Sequence, residues 1–172
     1  MSGTYKVGIV FEGLSHGSHS AVSAVLPEAA FGELGSLTTV TAKIVAPGAA
    51  AAISWLEERV TRAVPTAVPL RVDQDLVSAS GIARRAGRSR QSVRLLVDGK
   101  RGPGGFPAPL GVVGEGTRVW PWSVVLEWFG QALGVDLGER GVLPEAAALL
   151  DAGFARRRSP ELGSALGLRR LS

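Results

Sequence analysis

The segment Gly13-Leu14-Ser15-His16-Gly17 is the part of the chain whose residue types come nearest to a catalytic motif. It matches Gly-x-Ser-x-Gly and lies between a predicted strand and a predicted helix, which is the context of a hydrolase nucleophile elbow. A catalytic triad would need a histidine further along the chain, but the only two histidines are His16 and His19. We therefore predict a flexible strand-to-helix loop here, with no catalytic residue and no enzymatic activity.

His16 and His19 are also the first candidates for metal ligands. Their three-residue spacing would let them share an ion on a helical turn. The chain has no cysteine, and Glu12 is the only nearby carboxylate in the sequence. A solvated loop is the favoured interpretation, so we predict no metal site. Gly102 to Gly105 lacks the Lys-Ser/Thr ending of a phosphate-binding loop, and no cofactor is expected.

A basic segment carries the strongest indication of function. Residues 75–130 hold eight basic and four acidic residues, a net charge of +4, whereas residues 1–74 have a net charge of −1 and residues 131–172 of +1. Such a concentration of positive charge is what a phosphate-binding surface needs. Solubility alone would also tolerate it, so the charge supports nucleic-acid binding without establishing it.

Two short helices around a tight turn are predicted inside this segment. Ser78 or Ser80 can accept the N-cap hydrogen bond of the first helix. Gly87 can adopt the positive φ that the turn needs, and Ser89 can cap the second helix, which should run to about Val97. Helices in this order place the second one in the major groove of DNA.

The outer face of the second helix is polar and basic. Arginine binds guanine edges or phosphates, glutamine pairs with adenine, and serine lets the backbone approach a phosphate. An arginine-rich helix can also be a solvated face or a surface that binds protein, and both alternatives stay open. The predicted DNA-binding residues are Arg88, Arg90, Gln91 and Arg94 at the groove, Ser89 and Ser92 where the backbone approaches phosphate, and Lys100, Arg101 and Arg118 on phosphates.

A β-hairpin and a last helix are expected to complete this unit. Leu110 to Val113 and Thr117 to Trp120 should be its strands, around Gly114-Glu115-Gly116, and the hairpin would serve as a wing. Ser123 is predicted to cap the following helix. The tryptophans near it are interpreted as packing between hairpin and helix, in preference to a stacking platform for single strands.

The order of these motifs resembles the excisionase and MerR-like winged helix-turn-helix group, including small AlpA-type regulators and DNA-binding proteins of actinobacteria. The resemblance covers about a third of the chain. It implies duplex DNA binding, with the second helix in the major groove and the wing on the backbone. Transcriptional regulation and DNA bending in recombination both remain open. Gly99 to Gly105 departs from the group by adding a flexible basic loop. The resemblance is carried by Leu76–Ala83, Gly87–Val93, Phe106–Pro109 and Arg118–Trp128.

The fold class expected for the whole chain is α+β. Residues 1–73 should form a small β-α-β-α-β unit for dimerisation or sensing, with β-α-β-β as the alternative order. Residues 74–132 should form the winged helix-turn-helix, and residues 133–172 a C-terminal helical segment. The predicted strands of the first unit are Tyr5–Phe11, Leu37–Val45 and Thr66–Val72, and its helices Ser18–Leu26 and Ala49–Val64; a further helix is predicted at Pro144–Arg158, with a short helix or tail at Ser159–Ser172.

Double-stranded DNA is the expected partner. A homo-oligomer, a protein partner or a small-molecule effector at the first unit is left open. No apolar run approaches the roughly 20 residues that span a bilayer, and the N-terminus lacks the plan of a signal peptide. With no cysteine in the chain, these features predict a cytoplasmic, nucleoid-associated protein with no membrane partner.

Overall fold

The computed structural model describes residues 2–159, and in this range the chain folds into six α-helices and two antiparallel sheets. The chain is therefore mixed α+β, as predicted. The predicted element at Ser159–Ser172 lies almost entirely outside the described residues. The strands are β1 (Gly3–Glu12), β2 (Ala30–Leu34), β3 (Leu37–Ala46), β4 (Val68–Val72), β5 (Leu76–Ser78), β6 (Gly111–Val113) and β7 (Thr117–Pro121). The helices are α1 (His19–Val25), α2 (Ala49–Ala63), α3 (Ala79–Arg85), α4 (Arg90–Val97), α5 (Trp122–Leu133) and α6 (Pro144–Arg158).

The first sheet has the strand order β2-β3-β1-β4, with each neighbouring pair antiparallel. The chain order is β-α-β-β-α-β, which is the split β-α-β connectivity of ferredoxin-like folds. The predicted order β-α-β-α-β is wrong because it omits β2. That strand is short, lies at the sheet edge and is mostly exposed, so it shows little of the apolar alternation by which strands are recognised.

Apolar periodicity explains the strands and helix that were predicted correctly. In β1, Val7, Ile9 and Phe11 alternate with other residues and are buried on one face. In α2, Ile53, Leu56 and Val60 form a buried stripe at helical spacing. These side chains share one core with the first sheet.

The helix α6 also packs into this first core. Ala147 and Phe154 are its buried residues, and the Asp151 carboxylate accepts a hydrogen bond from the backbone N–H of Val72 at 2.6 Å. The segment before α6 continues along β1, where the N–H of Lys6 donates to the Arg140 carbonyl at 2.8 Å. After passing through the second sheet and its helices, the chain therefore returns to pack on the first sheet.

The second sheet has the order β5-β7-β6 and packs with α3, α4 and α5 around the tryptophans. Trp120, Trp122 and Trp128 are buried, which confirms that they pack between hairpin and helix. The predicted cap at Ser123 is wrong: the N-cap position is Pro121, two residues earlier, and α5 begins at Trp122. The Ser123 hydroxyl is buried instead, without a hydrogen-bond partner among the described residues.

None of the helices between residues 2 and 159 combines the length and the apolar character that crossing a membrane requires.

Candidate nucleic-acid interface

The first helix of the candidate interface, α3, begins and ends at the predicted residues. The Ser78 hydroxyl accepts a hydrogen bond from the N–H of Gly81 at 3.3 Å, which satisfies one of the free donors of the first turn. Gly87 has a φ of +61°, and the N–H of Arg88 donates to the Ala83 carbonyl at 2.9 Å. This is the Schellman motif, in which a glycine ends the helix in the left-handed conformation without the steric penalty of a Cβ atom.

The second helix, α4, starts at Arg90, three residues after that glycine. The Ser89 hydroxyl accepts a hydrogen bond from the N–H of Ser92 at 3.1 Å, which confirms the predicted cap. Val93 and Leu96 are buried against the second core. Burial of this stripe fixes the rotation of α4, so that Arg90, Gln91 and Arg94 are exposed on its other side.

A cleft of about 440 Å³ lies between α4, the start of α3 and β7. Arg90 and Arg94 line it from α4, and Arg118 lines it from β7. The structure thus places three arginine residues, separated by up to 28 positions in the sequence, around one cleft. The other lining residues are Ser78, Ala79, Ser80, Val97, Thr117 and Trp120.

The cations of the cleft are only weakly engaged within the protein. A nitrogen of Arg118 lies 3.4 Å from the Asp98 carboxylate, and both side chains are partly exposed, so the pair adds little stability. The Arg118 guanidinium also lies over the Trp120 ring, 5.8 Å from its centroid. Within the described residues, no carboxylate forms an ion pair with Arg90 or Arg94. These donors are available to an external anion.

The six other predicted residues do not line the cleft. The Arg88 guanidinium lies over the Phe129 ring, 5.4 Å from its centroid, and so faces α5. Lys100 and Arg101 are exposed in the turn after α4, where both backbone N–H groups donate to the Leu95 carbonyl. Ser89 and Ser92 take part in the helix cap. Gln91 is exposed on the first turn of α4 but does not line the cleft.

Several cleft residues were not among the predicted DNA-binding residues. The sequence indicates Ser78 and Ser80 only as helix caps and Trp120 only as a packing residue. It indicates Thr117 only as part of a strand of the hairpin. Their contribution depends on the β5-β7 pairing, in which Ser78 lies opposite Val119. No local spacing in the sequence indicates that pairing.

Asp75 joins the two sheets electrostatically. Lys6 on β1 donates to its carboxylate at 2.9 Å, and Arg85 on α3 donates to both carboxylate oxygens at 2.7 and 2.8 Å. We call Lys6, Asp75 and Arg85 the Asp75 junction. Burial is the largest single influence on the Asp75 carboxyl and raises its pKa, but the hydrogen bonds from Arg85 and Lys6 and the positive charges of both residues together hold the pKa below its ordinary value. The hydrogen bond to Asp75 in turn raises the pKa of Arg85, against the opposing effect of burial.

The Gly-x-Ser-x-Gly segment has a structural role at its first glycine. Gly13 has a φ of +74°, and a Cβ atom there would lie 2.2 Å from the Thr66 carbonyl oxygen. The Ser15 hydroxyl is exposed and lies 3.2 Å from that of Ser18. Among the described residues, the acidic group beside the two histidines is Glu33, which replaces the Glu12 suggested by sequence proximity.

No protein-family model, no curated protein and no solved structure matches this chain. The candidate interface is therefore interpreted from the residues of this chain alone.

Proposed function

We propose that residues 74–132 form a winged helix-turn-helix of the excisionase and MerR-like kind that binds duplex DNA, and that the protein regulates transcription. The helix α4 would enter the major groove, and the hairpin β6–β7 would lie on the backbone. The observation that carries the proposal is the cleft that Arg90, Arg94 and Arg118 line together with serine and threonine residues.

The chemistry of the cleft suits DNA better than it suits a neutral ligand. A guanidinium group presents a planar fork of donors that matches the O6 and N7 acceptors of guanine or two phosphate oxygens. Side chains in the N-terminal part of a recognition helix reach base edges, and Arg90 and Gln91 are exposed in the first turn of α4. These two residues and Arg94 are therefore assigned to base reading.

The remaining predicted residues are assigned to the backbone. Arg118 can exchange its weak contact with Asp98 for a phosphate at small cost, because that contact is long and exposed. Lys100 and Arg101 follow α4 in an exposed turn, where they would add phosphate contacts that carry no sequence information. Arg88, lying over Phe129, would orient α4 more than it contacts DNA.

The test is selection from random-sequence duplex DNA, followed by binding measurements across a salt series with the full chain. We expect one enriched motif and an affinity that falls steeply with salt. Arg94→Ala should cost about 1–3 kcal/mol on the preferred motif and relax specificity at one position. Lys100→Ala should weaken all sequences similarly and reduce the salt slope by about 1.

Arg71→Ala is the matched control, because Arg71 is an exposed arginine on β4, in the other sheet. It should leave DNA affinity and motif unchanged. Absence of DNA binding at low salt would refute the proposal and point to a protein-binding adaptor. Equal losses from the Arg71 and Arg94 substitutions would refute the assignment of the cleft.

A second candidate function is DNA bending, as an architectural or recombination accessory protein. The hairpin carries exposed apolar side chains, with Val112 61% and Val113 50% exposed, and apolar wedges of this kind unstack base steps in bent DNA. Fluorescence energy transfer between the ends of a bound duplex tests this role. If the wild-type protein shortens the end-to-end distance of the duplex and Val112→Ser does not, the result favours bending. If the wild-type protein leaves the distance unchanged, the result favours simple regulation.

In either role the partner is double-stranded DNA, and the proposed location is the nucleoid. A homo-oligomer or an effector at the first unit remains a prediction, to be examined by sedimentation of the free and DNA-bound protein.

A further inference from the structure

We propose that His16, His19 and Glu33 form a binding site for a divalent transition-metal ion of the Zn²⁺ class. One ligand atom from each residue lies within 4.8 Å of the other two. His16 comes from the 3-10 turn before α1, His19 is the first residue of α1, and Glu33 lies on β2. The site is separate from the candidate DNA interface, and its existence does not depend on DNA binding.

The two distances from Glu33 to the histidines are close to those between ligands of one metal ion. The ligand atoms of the whole cluster lie within 4.8 Å of one another, so the two imidazoles would move closer together when they bind the same ion. The Glu33 Oε1 atom lies 3.3 Å from His16 Nδ1 and 3.3 Å from His19 Nε2. Ligands at about 2.0–2.1 Å around a tetrahedral Zn²⁺ are separated from one another by about 3.3–3.5 Å. A charge-assisted hydrogen bond would be shorter, at about 2.7–2.9 Å.

The His19 nitrogen gives a second reason to infer a missing partner. Its Nε2 atom is buried and makes no hydrogen bond within the described part of the chain, although the Glu33 carboxylate is close. A buried polar atom without a partner costs free energy, and such atoms are rare in native structures. A metal ion between the imidazole and the carboxylate would satisfy both groups at once.

The fold holds two of the three ligands in place before any ion binds. The His19 ring stacks on Phe31, with centroids 4.1 Å apart and an angle of 12° between the planes. Phe31 and Glu33 are two residues apart on β2, so their side chains leave the same face of the strand. The position of β2 therefore fixes both the ring that stacks on His19 and the carboxylate beside it, because Phe31 and Glu33 belong to the same strand.

His16 completes the site from the turn. Its side chain is 86% exposed, and residues three apart in a 3-10 turn project in the same direction. The two imidazole rings accordingly lie 4.8 Å apart. Imidazole nitrogen suits Zn²⁺ and its neighbours among the first-row metals, and three protein ligands leave one tetrahedral position for water or another ligand. An open cleft of about 480 Å³ adjoins His16 and Glu33.

The experiment uses the full chain, freed of any affinity tag and treated with a chelator. His16 and His19 are the only histidines and the chain has no cysteine, so imidazole NMR signals and Co²⁺ visible spectra report on this site without interference. We expect calorimetry to show one Zn²⁺ per chain, with both imidazoles shifted. His16→Asn and Glu33→Gln should each weaken binding by at least about 100-fold, since even outer-shell changes cost about 10–100-fold.

Glu28→Gln is the matched control, because Glu28 is an exposed carboxylate outside the cluster. It should leave Zn²⁺ binding unchanged. Circular dichroism of each variant in chelator shows whether the fold is intact, and the substituted side chains are 86% (His16) and 47% (Glu33) exposed. The proposal would be overturned if the wild-type chain did not bind Zn²⁺. It would also be overturned if the folded His16→Asn and Glu33→Gln variants bound Zn²⁺ as strongly as the wild type. DNA binding plays no part in this readout.

Discussion

Replacing Asp75 with asparagine should loosen the attachment between the two sheets. The carboxylate accepts three hydrogen bonds, one from Lys6 and two from Arg85. Asp75 also has a φ of +49°, a conformation that asparagine tolerates about as well as aspartate. Asparagine therefore removes the charge without adding backbone strain. Alanine would add strain at this positive φ.

The size of the effect follows from the partial burial of the Asp75 junction. Asp75 is 29% exposed and its two partners are each 26% exposed. An exposed ion pair contributes at most about 1 kcal/mol, and breaking a fully buried one costs about 3–5 kcal/mol. We therefore expect Asp75→Asn to lower the free energy of unfolding by about 2 kcal/mol. For a chain of this length that corresponds to a fall in Tm of about 4–8 °C.

The pH dependence has a defined sign. Because the folded pKa of Asp75 is lowered, the unfolded state binds more protons between that value and the ordinary aspartate pKa of about 3.9. The contribution of the junction is therefore complete above about pH 5 and is lost as the pH falls through the folded pKa. The stability difference between the wild-type protein and Asp75→Asn should shrink below about pH 4.

Urea denaturation followed by tryptophan fluorescence measures this difference, because Trp122 lies 5.2 Å from the Arg85 guanidinium. A double-mutant cycle with Arg85→Gln should give a coupling free energy of about 1–2 kcal/mol. Glu58→Gln, which breaks an exposed ion pair with Arg62, is the control and should change stability by less than about 0.5 kcal/mol. The reasoning would be refuted if Asp75→Asn changed the free energy of unfolding by less than about 0.5 kcal/mol. It would also be refuted if the stability difference between wild type and Asp75→Asn grew as the pH fell.

Three further substitutions test the local structure, each by thermal and urea denaturation. Gly13→Ala should prevent stable folding or cost several kcal/mol, because its Cβ would meet the Thr66 carbonyl oxygen at 2.2 Å; a wild-type Tm would contradict the assigned backbone. Gly87→Ala has open space around the new Cβ, so only the left-handed φ should count, at about 1–2 kcal/mol; a larger loss would imply a contact that the structure lacks. Ser89→Ala should cost about 1 kcal/mol by removing the α4 cap, and Ser89→Asp should restore it.

Much of the local structure is predictable from the order of residues alone. The helices α3 and α4 are bounded by Ser78, Gly87 and Ser89, whose side chains or backbone freedom act within three or four residues. The strand β1 and the helix α2 follow from apolar periods of two and about 3.6 residues. Such signals are readable because each depends on neighbours that are close in the chain.

The errors arise where local signals are weak or conflict. The strand β2 has only five residues and an exposed pattern, and its place is decided by pairing with β3 across the turn at Gly35. Serine is a favoured helix-capping residue, but α5 includes Ser123 and begins two residues earlier than a cap there would place it, with Trp122 buried in the second core. Tertiary packing overrides propensity in both cases.

The features that bear on function depend on contacts between distant residues. Arg118 reaches the cleft of Arg90 and Arg94 because β7 pairs with β5 beside α3. Glu33 lies 17 residues after His16 in the chain and reaches the two histidines from β2, which pairs with β3. Asp75 meets Lys6 across 69 positions. The sequence by itself determines the residue types and the concentration of basic charge. Which of these residues come into contact depends on strand register and burial, because both are set by interactions between residues far apart in the chain.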